Sequence, residues 1–252
     1  MSWTEEKAIL GKQITLDLYK YKMIRTWKRD RPEGWFLVSG LWSPFYIQLR
    51  PLSSHPNLLE TVGRSLGRLI REECGNVNKI LGVAMSGIPI ATAISLSEYI
   101  PACFTRKLEG VKSLEDFDKF IKSYGEHSII EGELANGDVV AIVDDLVTRF
   151  DSKLIAIHQL ERELKLRKLK EVESSTVIVL LDREQGAKDV AMANGIKLHS
   201  LIPFTTKGLD WLKDVLTDEE YEIIKDYLAN YSKYQNLNMQ RDLYEMAIGN
   251  HK

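Results

Sequence analysis

The sequence is poor in cysteine and has no long hydrophobic run. Its 252 residues include two cysteines, Cys74 and Cys103, which lie far apart and show no metal-ligand spacing. Disulfide bonds and a structural zinc site are therefore not expected. Residues Met1–Lys7 lack the apolar core of a signal peptide, and no apolar run is long enough to span a bilayer. These absences predict a cytoplasmic protein without a membrane segment.

The chain also lacks a strong excess of either charge. Its formal net charge is −2 and its isoelectric point is near 6.3, which argues against general binding to nucleic acid or to anionic membranes. Hydrophobic residues make up 44% of the chain, enough for one large domain or a domain with a substantial appendage. Any ligand must therefore be inferred from local clusters.

A run of β-branched apolar residues near the middle of the chain ends on two acids. Val139–Val143 predicts a buried parallel strand. Asp144 and Asp145 follow it directly. Two charges at the carboxyl end of such a strand mark a candidate ligand site, because open α/β sheets bind ligands at that edge.

The segment after the acid pair leads into a predicted helix. Apolar residues from Leu154 onward recur at helical spacing, and Thr148, Asp151 and Ser152 lie where that helix begins. The free N–H groups at the start of a helix can hold a phosphate. Alternatively, Asp151 or Ser152 is only the N-cap of the helix, and the acid pair is solvated.

Two further predicted strands end in small or charged residues. Lys79–Ala84 leads through Ser86 and Gly87 into a helix, and small residues at such a turn let the backbone approach an anion. Close packing of the helix on the sheet is the alternative. Ser175–Leu181 ends in the charged cluster Asp182–Lys188, which belongs on the same sheet edge as the acid pair.

Strands alternate with helical segments over most of the chain, which predicts an α/β domain with a mainly parallel central sheet flanked by helices. An amphipathic helix over residues 4–24, capped by Thr4, is expected to lie over the core. Beyond Pro203 the pattern is helical, and these helices are expected to pack on the core or at a subunit interface. We divide the chain into an N-terminal helix and hood segment (1–55), a core (56–204) and a helical C-terminal extension (205–252).

A basic segment follows the predicted strand Ala102–Thr105. Arg106 and Lys107 open it. Residues 108–121 then carry apolar side chains at helical spacing behind a Ser113 cap, which predicts an inserted helix. An exposed basic loop is usually solvated surface.

Aromatic residues concentrate in the stretch Trp35–Arg50. Its alternation predicts two short strands around a turn, with the rings of Phe45 and Tyr46 among those on one side. An aromatic mini-core is the simple interpretation of these rings.

Together these motifs resemble the type I phosphoribosyltransferases. Residues 139–153 resemble their signature for phosphoribosyl diphosphate (PRPP), which is a hydrophobic strand, two acids, and then Thr and Ser in a phosphate loop. The sequence Asp-Arg-Glu-Gln-Gly at Asp182–Gly186 resembles a motif of the orotate phosphoribosyltransferases, in particular the orotate phosphoribosyltransferase half of UMP synthase. The resemblance covers about residues 35–202.

The resemblance implies a fold and a reaction. The fold is that of the type I phosphoribosyltransferases. The reaction transfers the phosphoribosyl group of PRPP to orotate, giving orotidine 5′-monophosphate and diphosphate in de novo pyrimidine (UMP) biosynthesis. It also implies Mg²⁺ bound through PRPP near Asp144 and Asp145, and a homodimer in which the basic loop reaches the neighbouring site. Association with a separate orotidine-phosphate decarboxylase is a further expectation.

Roles for individual residues are also implied by the resemblance. Asp144, Asp145 and Lys122 form the implied catalytic group, with the acids holding ribose hydroxyls and the lysine approaching the diphosphate. Arg183 is expected to grip the orotate carboxylate with two parallel bonds, although a surface ion pair with Asp182 is an alternative. The implied PRPP contacts are Ser86, Gly87, Arg106, Lys107, Lys122, Tyr124, Asp144, Asp145, Thr148, Arg149 and Ser152. The implied orotate contacts are Phe45, Tyr46, Thr148 and Arg183.

Three features depart from the family pattern. Val38 replaces a lysine, and the loop at 108–121 is longer than the pattern needs, so that Lys112 and Lys119 are alternative loop lysines. Arg149–Asp151 replaces a glycine-rich turn. Its bulky residues are expected to obstruct left-handed backbone, and its acid places negative charge where a phosphate is expected, offset in part by the arginine.

These departures leave two alternatives to the orotate enzyme. One is a non-catalytic, orotate phosphoribosyltransferase-like regulator that binds a base or nucleotide. The other is a phosphoribosyltransferase for a different base. Arg183 argues against the second alternative, because a purine has no carboxylate for it to bind.

Overall fold

The fold comes from a computed structural model that describes residues 1–249. The strands are β1 (Ile24–Thr26), β2 (Trp35–Phe36), β3 (Trp42–Ser43), β4 (Phe45–Ile47), β5 (Lys79–Gly82), β6 (Ala102–Thr105), β7 (Ile130–Glu131), β8 (Val139–Val147), β9 (Glu173–Asp182) and β10 (Lys197–Pro203). The α-helices are α1 (Trp3–Lys20), α2 (Trp27–Asp30), α3 (Pro56–Glu73), α4 (Gly87–Glu98), α5 (Leu114–Tyr124), α6 (Asp151–Arg167), α7 (Ala187–Ala193), α8 (Leu209–Trp211), α9 (Asp218–Ala229) and α10 (Leu237–Gly249). Arg50–Ser54 and Tyr231–Gln235 form 3-10 helices, and Phe204–Gly208 forms a π-helical turn. Within the described range no helix is both long and apolar enough to cross a membrane.

Six strands form the central sheet, in the order β10-β9-β8-β5-β6-β7. All neighbouring pairs are parallel except β6 and β7, which run antiparallel at one edge. The prediction of a mainly parallel sheet is therefore confirmed. Two separate hydrophobic clusters take alternate residues of β8 and β9, so these strands are apolar on both faces. The carboxyl ends of β5, β8 and β9 meet at one edge, where an α/β sheet binds its ligand.

The first helix differs from its prediction at both ends. Ser2, not Thr4, caps α1, because the Ser2 hydroxyl accepts from the Glu5 N–H at 3.4 Å. The Glu5 carboxylate in turn accepts from the Ser2 N–H at 2.8 Å, and this capping box starts the helix earlier than predicted. At the other end, Lys22 takes a left-handed backbone with φ 57°. Strand β1 then begins at Ile24, where the prediction still had helix.

The hood segment contains two small antiparallel sheets. Strand β1 pairs with β4, and β2 pairs with β3 across a tight turn. The predicted pair of short strands around a turn is confirmed by β2 and β3. The segment after β1 forms the short helix α2, capped by the Thr26 hydroxyl.

The C-terminal extension packs onto the hood segment. Trp27 donates from Nε1 to the Leu243 carbonyl oxygen at 3.0 Å. The Gln235 side chain accepts from the Trp42 N–H at 2.8 Å and donates to the Trp42 carbonyl oxygen at 3.2 Å. One hydrophobic cluster joins α1, the hood segment, α3 and the extension, and it includes Ile14, Trp27, Phe45, Leu66, Tyr227 and Leu243. The extension is thus packed on the body of the protein, one of the two placements expected.

The inserted segment contains the predicted helix. Ser113 caps α5 through a capping box, as expected. Phe117 packs in a small cluster that reaches Ile155 of α6. The helix continues beyond its predicted end at residue 121 as far as Tyr124, whose ring packs against Phe120 one turn earlier, with centroids 4.7 Å apart.

Candidate active site

The acid pair lies within the last part of β8. Pairing with β9 continues through Val147, so the predicted strand end at Val143 falls short of the observed end. Asp144 is 6% exposed, and its Oδ1 accepts from the Asp145 N–H at 2.9 Å. Asp145 in turn accepts from the Leu146 N–H at 2.7 Å. Both carboxylates are therefore fixed by backbone groups at the ligand edge of the sheet.

A buried lysine faces the first acid. Lys153 Nζ lies 2.7 Å from Asp144 Oδ2, and both side chains are almost fully buried. The same ammonium donates to the Leu146 carbonyl oxygen at 2.6 Å. Sequence reasoning missed this residue. The available signal was a lysine in the first turn of a helix that directly follows an acid pair.

The surroundings of Asp145 disfavour its ionised form. Burial, and then the neighbouring charge of Asp144, raise the pKa of Asp145 to about 7, while Lys153 and the Leu146 N–H oppose this shift only partly. A hydroxyl donor or a cation next to Asp145 would stabilise its ionised form. This environment suits the hydroxyl groups of a sugar.

The helix after the acid pair begins without a side-chain cap. Phe150 occupies the N-cap position with φ 79° and ψ −6° and makes no capping hydrogen bond. The alternative in which Asp151 or Ser152 is the N-cap is therefore wrong. Both of those side chains are exposed. The Lys153 N–H already bonds to the Phe150 carbonyl oxygen at 3.0 Å, so the N–H groups of Asp151 and Ser152 ahead of it are the ones left for an anion.

Phe150 adopts the left-handed backbone that bulky residues were expected to obstruct, so this expectation is wrong. Its side chain is 2% exposed and packs in the core cluster between the sheet and α6. Burying such a ring contributes about 1.5–3 kcal/mol, while a left-handed residue other than glycine costs about 1–2 kcal/mol. Packing therefore offsets the strain. Arg149 and Asp151 remain as exposed charges on either side.

The turn between β5 and α4 lies directly against the acid strand. A Cβ atom on Gly87 would come within 2.4 Å of a β8 carbonyl oxygen and 3.1 Å of the Asp144 Cα, so only glycine allows this approach. The Ala84 N–H donates to Thr105 Oγ1 at 2.9 Å, which fixes the turn to β6. The alternative of close helix-on-sheet packing is therefore confirmed, and this packing places Gly87 beside Asp144.

Arg183 follows β9 and lies beside the end of β8, because its N–H bonds to the Val147 carbonyl oxygen at 3.1 Å. Its Cζ is 5.1 Å from the centre of the Phe45 ring. Its Nε is buried and has no hydrogen-bond partner among residues 1–249, and burial lowers the pKa of Arg183. Asp182 instead accepts from the Glu184 N–H at 2.7 Å. A half-buried arginine with an unused donor is a site for a carboxylate.

Phe45 packs under Arg183. The Phe45 ring is 1% exposed, stacks on Phe204 with centroids 5.6 Å apart, and meets the edge of Tyr227 at 5.8 Å. The mini-core interpretation therefore describes Phe45, which supports Arg183. Tyr46 is only half-buried and keeps some accessible surface on the same strand.

The basic residues of the long loop do not pair with the acid pair in the described part of the chain. Arg106 Nε lies 3.5 Å from a Glu131 carboxylate oxygen, and Lys107 is exposed. Lys122 and Tyr124 lie on α5, which packs against α6. Among residues 1–249, none of these four side chains forms a hydrogen bond or ion pair with the acid pair. Their implied contacts with a diphosphate stay predictions.

The remaining implied residues divide between the site and the surface. Thr148 is half-buried and follows β8 directly. Val38 is fully exposed in the turn between β2 and β3, where it offers no hydrogen-bond donor. Sequence reasoning did not single out Phe204 and Tyr227 as parts of the site, because their apolar spacing indicated only helix packing.

The sheet order, its ligand edge and the uncapped helix after the acid pair define a type I phosphoribosyltransferase fold. The chain superposes on UMP synthase of Leishmania donovani with a TM-score of 0.69 at 24% identity, over 87% of this chain and 42% of that one. It superposes on orotate phosphoribosyltransferase from Aeropyrum pernix with a TM-score of 0.58 at 21% identity, over 80% and 98% of the two chains. These similarities establish the fold.

Sequence comparison gives the family. No protein-family model matches the chain. Orotate phosphoribosyltransferase of Methanothermobacter thermautotrophicus is 34% identical over 166 residues, which cover 66% of this chain and 79% of that protein. UMP synthase of Bos taurus is 32% identical over 200 residues and 79% of this chain, but the match spans only about a third of that protein, 36%. The chain belongs to the orotate phosphoribosyltransferase family.

Proposed function

We propose that the chain transfers the phosphoribosyl group of PRPP to orotate, giving orotidine 5′-monophosphate and diphosphate in UMP biosynthesis. The observation that carries the proposal is the half-buried Arg183, whose buried Nε has no partner among the described residues. It lies at the end of β9, next to the strand that carries Asp144 and Asp145. A planar carboxylate matches the guanidinium fork. Membership of the orotate phosphoribosyltransferase family supports the same substrate.

In the proposed reaction, a ring nitrogen of orotate forms a bond to the anomeric carbon of the ribose and releases its proton. The bond between that carbon and the diphosphate oxygen breaks, and its electron pair leaves with the diphosphate. Asp144 and Asp145 hold the ribose hydroxyls, so the anomeric carbon stays near the base. Arg183 and the half-buried Thr148 orient orotate from the carboxyl ends of β9 and β8.

Binding of the PRPP anions is assigned to three places. The uncapped start of α6 receives the 5′-phosphate through its free N–H groups. The turn before α4 and the basic loop face the diphosphate, where cations offset its growing charge. The residues assigned to PRPP are Ser86, Gly87, Arg106, Lys107, Lys122, Tyr124, Asp144, Asp145, Thr148, Arg149 and Ser152.

Mg²⁺ bound to PRPP is part of the proposal. Within residues 1–249, no group of three or more His, Cys, Asp or Glu side chains is arranged to hold a metal ion by itself. Asp145 fits a metal that arrives with the diphosphate, because it lies directly beside the Asp144 carboxylate at the ligand edge of the sheet, and two adjacent negative charges attract a cation. When bound, the ion offsets charge on the departing diphosphate.

A homodimer and a cytoplasmic location are proposed as well. Leu96 is 73% exposed and borders an apolar groove of about 630 Å³ between α3 and α4, and exposed apolar surface of this kind supports a subunit interface. Cys74 and Cys103 are free thiols, which fits a reducing compartment. Similarity to UMP synthase supports association with a separate orotidine-phosphate decarboxylase, which co-purification with that enzyme tests.

The test of the proposed function is the consumption of orotate, followed by its ultraviolet absorbance, with purified protein, PRPP and Mg²⁺. We expect turnover by the wild-type protein and a loss of about 30-fold or more in kcat/KM in Arg183→Ala, since a charged partner is removed. Arg241→Ala is the matched control, because Arg241 is 70% exposed on α10. An equal loss in the two variants would contradict the assignment of Arg183.

A regulator without catalytic activity is the second candidate, and the Lys153–Asp144 pair favours it. The Lys153 ammonium already forms an ion pair with Asp144 at 2.7 Å, so that carboxylate has a partner without a ribose. The exposed Asp151 adds negative charge at the start of α6, where the phosphate is proposed to bind. Calorimetric titration separates the two candidates. Binding of orotate or its nucleotide, with neither PRPP binding nor turnover, would establish the regulator and refute the enzyme.

A further inference from the structure

The C-terminal extension reaches the base site through one side chain. Tyr227 on α9 is 3% exposed, and its ring meets the Phe45 ring edge-on at 5.8 Å with an interplanar angle of 87°. Phe45 in turn lies 5.1 Å below the Arg183 guanidinium. Helix α9 is therefore linked to Arg183 through Phe45, by one contact between two rings and one contact between a ring and the guanidinium.

Phe45 is enclosed by three neighbours. The Tyr227 ring and Phe204 cover different sides of Phe45, since the first packs edge-on and the second stacks at 5.6 Å. With Arg183 as the third neighbour, Phe45 has little freedom to tilt.

Tyr227 also packs against a second ring, on the 3-10 helix that follows α9. Its ring meets Tyr234 at 5.5 Å with an interplanar angle of 72°. The Tyr234 hydroxyl donates to Asp226 Oδ2 at 2.7 Å, and Lys233 Nζ lies 2.7 Å from the same oxygen. Gln235, the residue after Tyr234, forms hydrogen bonds with the Trp42 backbone in the hood segment. The 3-10 helix thus fixes Tyr227 against the strand that carries Phe45.

We infer that Tyr227 is a positioning residue of the orotate site, which fixes Phe45 and through it the Arg183 guanidinium. The inference rests on the proposed function and assigns to the C-terminal extension a role in binding the base. Tyr227 is expected to act on orotate, because the residues assigned to PRPP lie on or next to β5, β6, β8, α5 and α6. Its ring, rather than its hydroxyl group, carries the role, since the contact with Phe45 is between rings.

The test measures KM for orotate and KM for PRPP separately in Tyr227→Leu, Tyr227→Phe and the wild-type protein. We expect Tyr227→Leu to raise KM for orotate about fivefold, the value of one aromatic pair, with KM for PRPP unchanged. Tyr227→Phe restores the wild-type KM because it keeps the ring. Tyr231→Leu is the matched control, since Tyr231 lies near the same helix and is 54% exposed.

A double-variant comparison shows whether the effect passes through Arg183. In an Arg183→Lys background, Tyr227→Leu should add no further rise in KM for orotate, because the guanidinium that it positions is gone. Equal rises in both KM values, or a rise in Tyr227→Phe as large as in Tyr227→Leu, would overturn the inference. The proposed function fails separately, by the absence of turnover in the wild-type protein.

Discussion

Lys153 Nζ lies 2.7 Å from Asp144 Oδ2, and this ion pair joins the first turn of α6 to the acid strand β8. The lysine side chain is 4% exposed and the aspartate side chain 9%. Its second bond, to the Leu146 carbonyl oxygen at 2.6 Å, lies on the same strand. The geometry between the acid pair and the start of the helix is therefore set by one buried side chain.

Lys153→Met should destabilise the protein by about 3–5 kcal/mol, because it leaves the buried Asp144 charge without its partner. Urea denaturation measures this loss. The double variant Lys153→Met with Asp144→Asn should recover much of the stability, since no uncompensated charge remains. Lys165→Met is the control, because Lys165 is exposed on the same helix. Additive losses in the double variant would show that the pair is not coupled.

The raised pKa of Asp145 predicts a pH-dependent stability. Burial and Asp144 raise its pKa from 3.8 to about 7, so between those values the folded protein binds a proton that the unfolded chain releases. Stability contributed by this site is therefore present below about pH 4 and is lost as the pH rises to about 7. Asp145→Asn removes the titration. We expect its melting temperature to match the wild type near pH 4 and to exceed it near pH 8 in calorimetric scans without ligand. A constant difference at all pH values would contradict the assignment.

Periodicity and charge were sufficient to predict the central sheet and its ligand edge. The apolar run before Asp144 has few alternatives to a buried strand, and the motif around Arg183 follows another such run. The Ser113 cap likewise predicted α5, because a capping box is a local interaction. These features depend on neighbours in sequence, which explains why they were predictable.

Tertiary contacts decided the features that sequence reasoning missed. The left-handed conformation of Phe150 is tolerated only because its ring is buried between the sheet and α6, which no local pattern reveals. The contact between Lys153 and Asp144 was missed, because a lysine at the start of a helix is usually solvated. The contact between Tyr227 and Phe45 joins residues far apart in the chain.

Gly87→Ala tests the close approach of the turn before α4 to β8. The added Cβ would lie 2.4 Å from a backbone carbonyl oxygen, so the turn must shift, at a cost of about 1–3 kcal/mol. We expect a higher KM for PRPP together with a lower melting temperature. Gly249→Ala is the control, because nothing lies within 4 Å of a Cβ there. An unchanged KM for PRPP would show that the turn before α4 does not contribute to binding the diphosphate.

At Phe150 we expect glycine to destabilise the protein less than alanine, which is the reverse of the usual order. Both Phe150→Ala and Phe150→Gly lose the buried ring, at about 3–5 kcal/mol. Alanine keeps the strain of φ 79°, whereas glycine relieves about 1 kcal/mol of it. Glycine should therefore be the less damaging substitution in urea denaturation. Phe117 on α5 is the matched control, because it is also buried but lies within a helix, where glycine is worse than alanine by about 1 kcal/mol. The same order at both positions would mean that the left-handed backbone at Phe150 costs nothing, and that the chain reaches this turn without offsetting strain by burial.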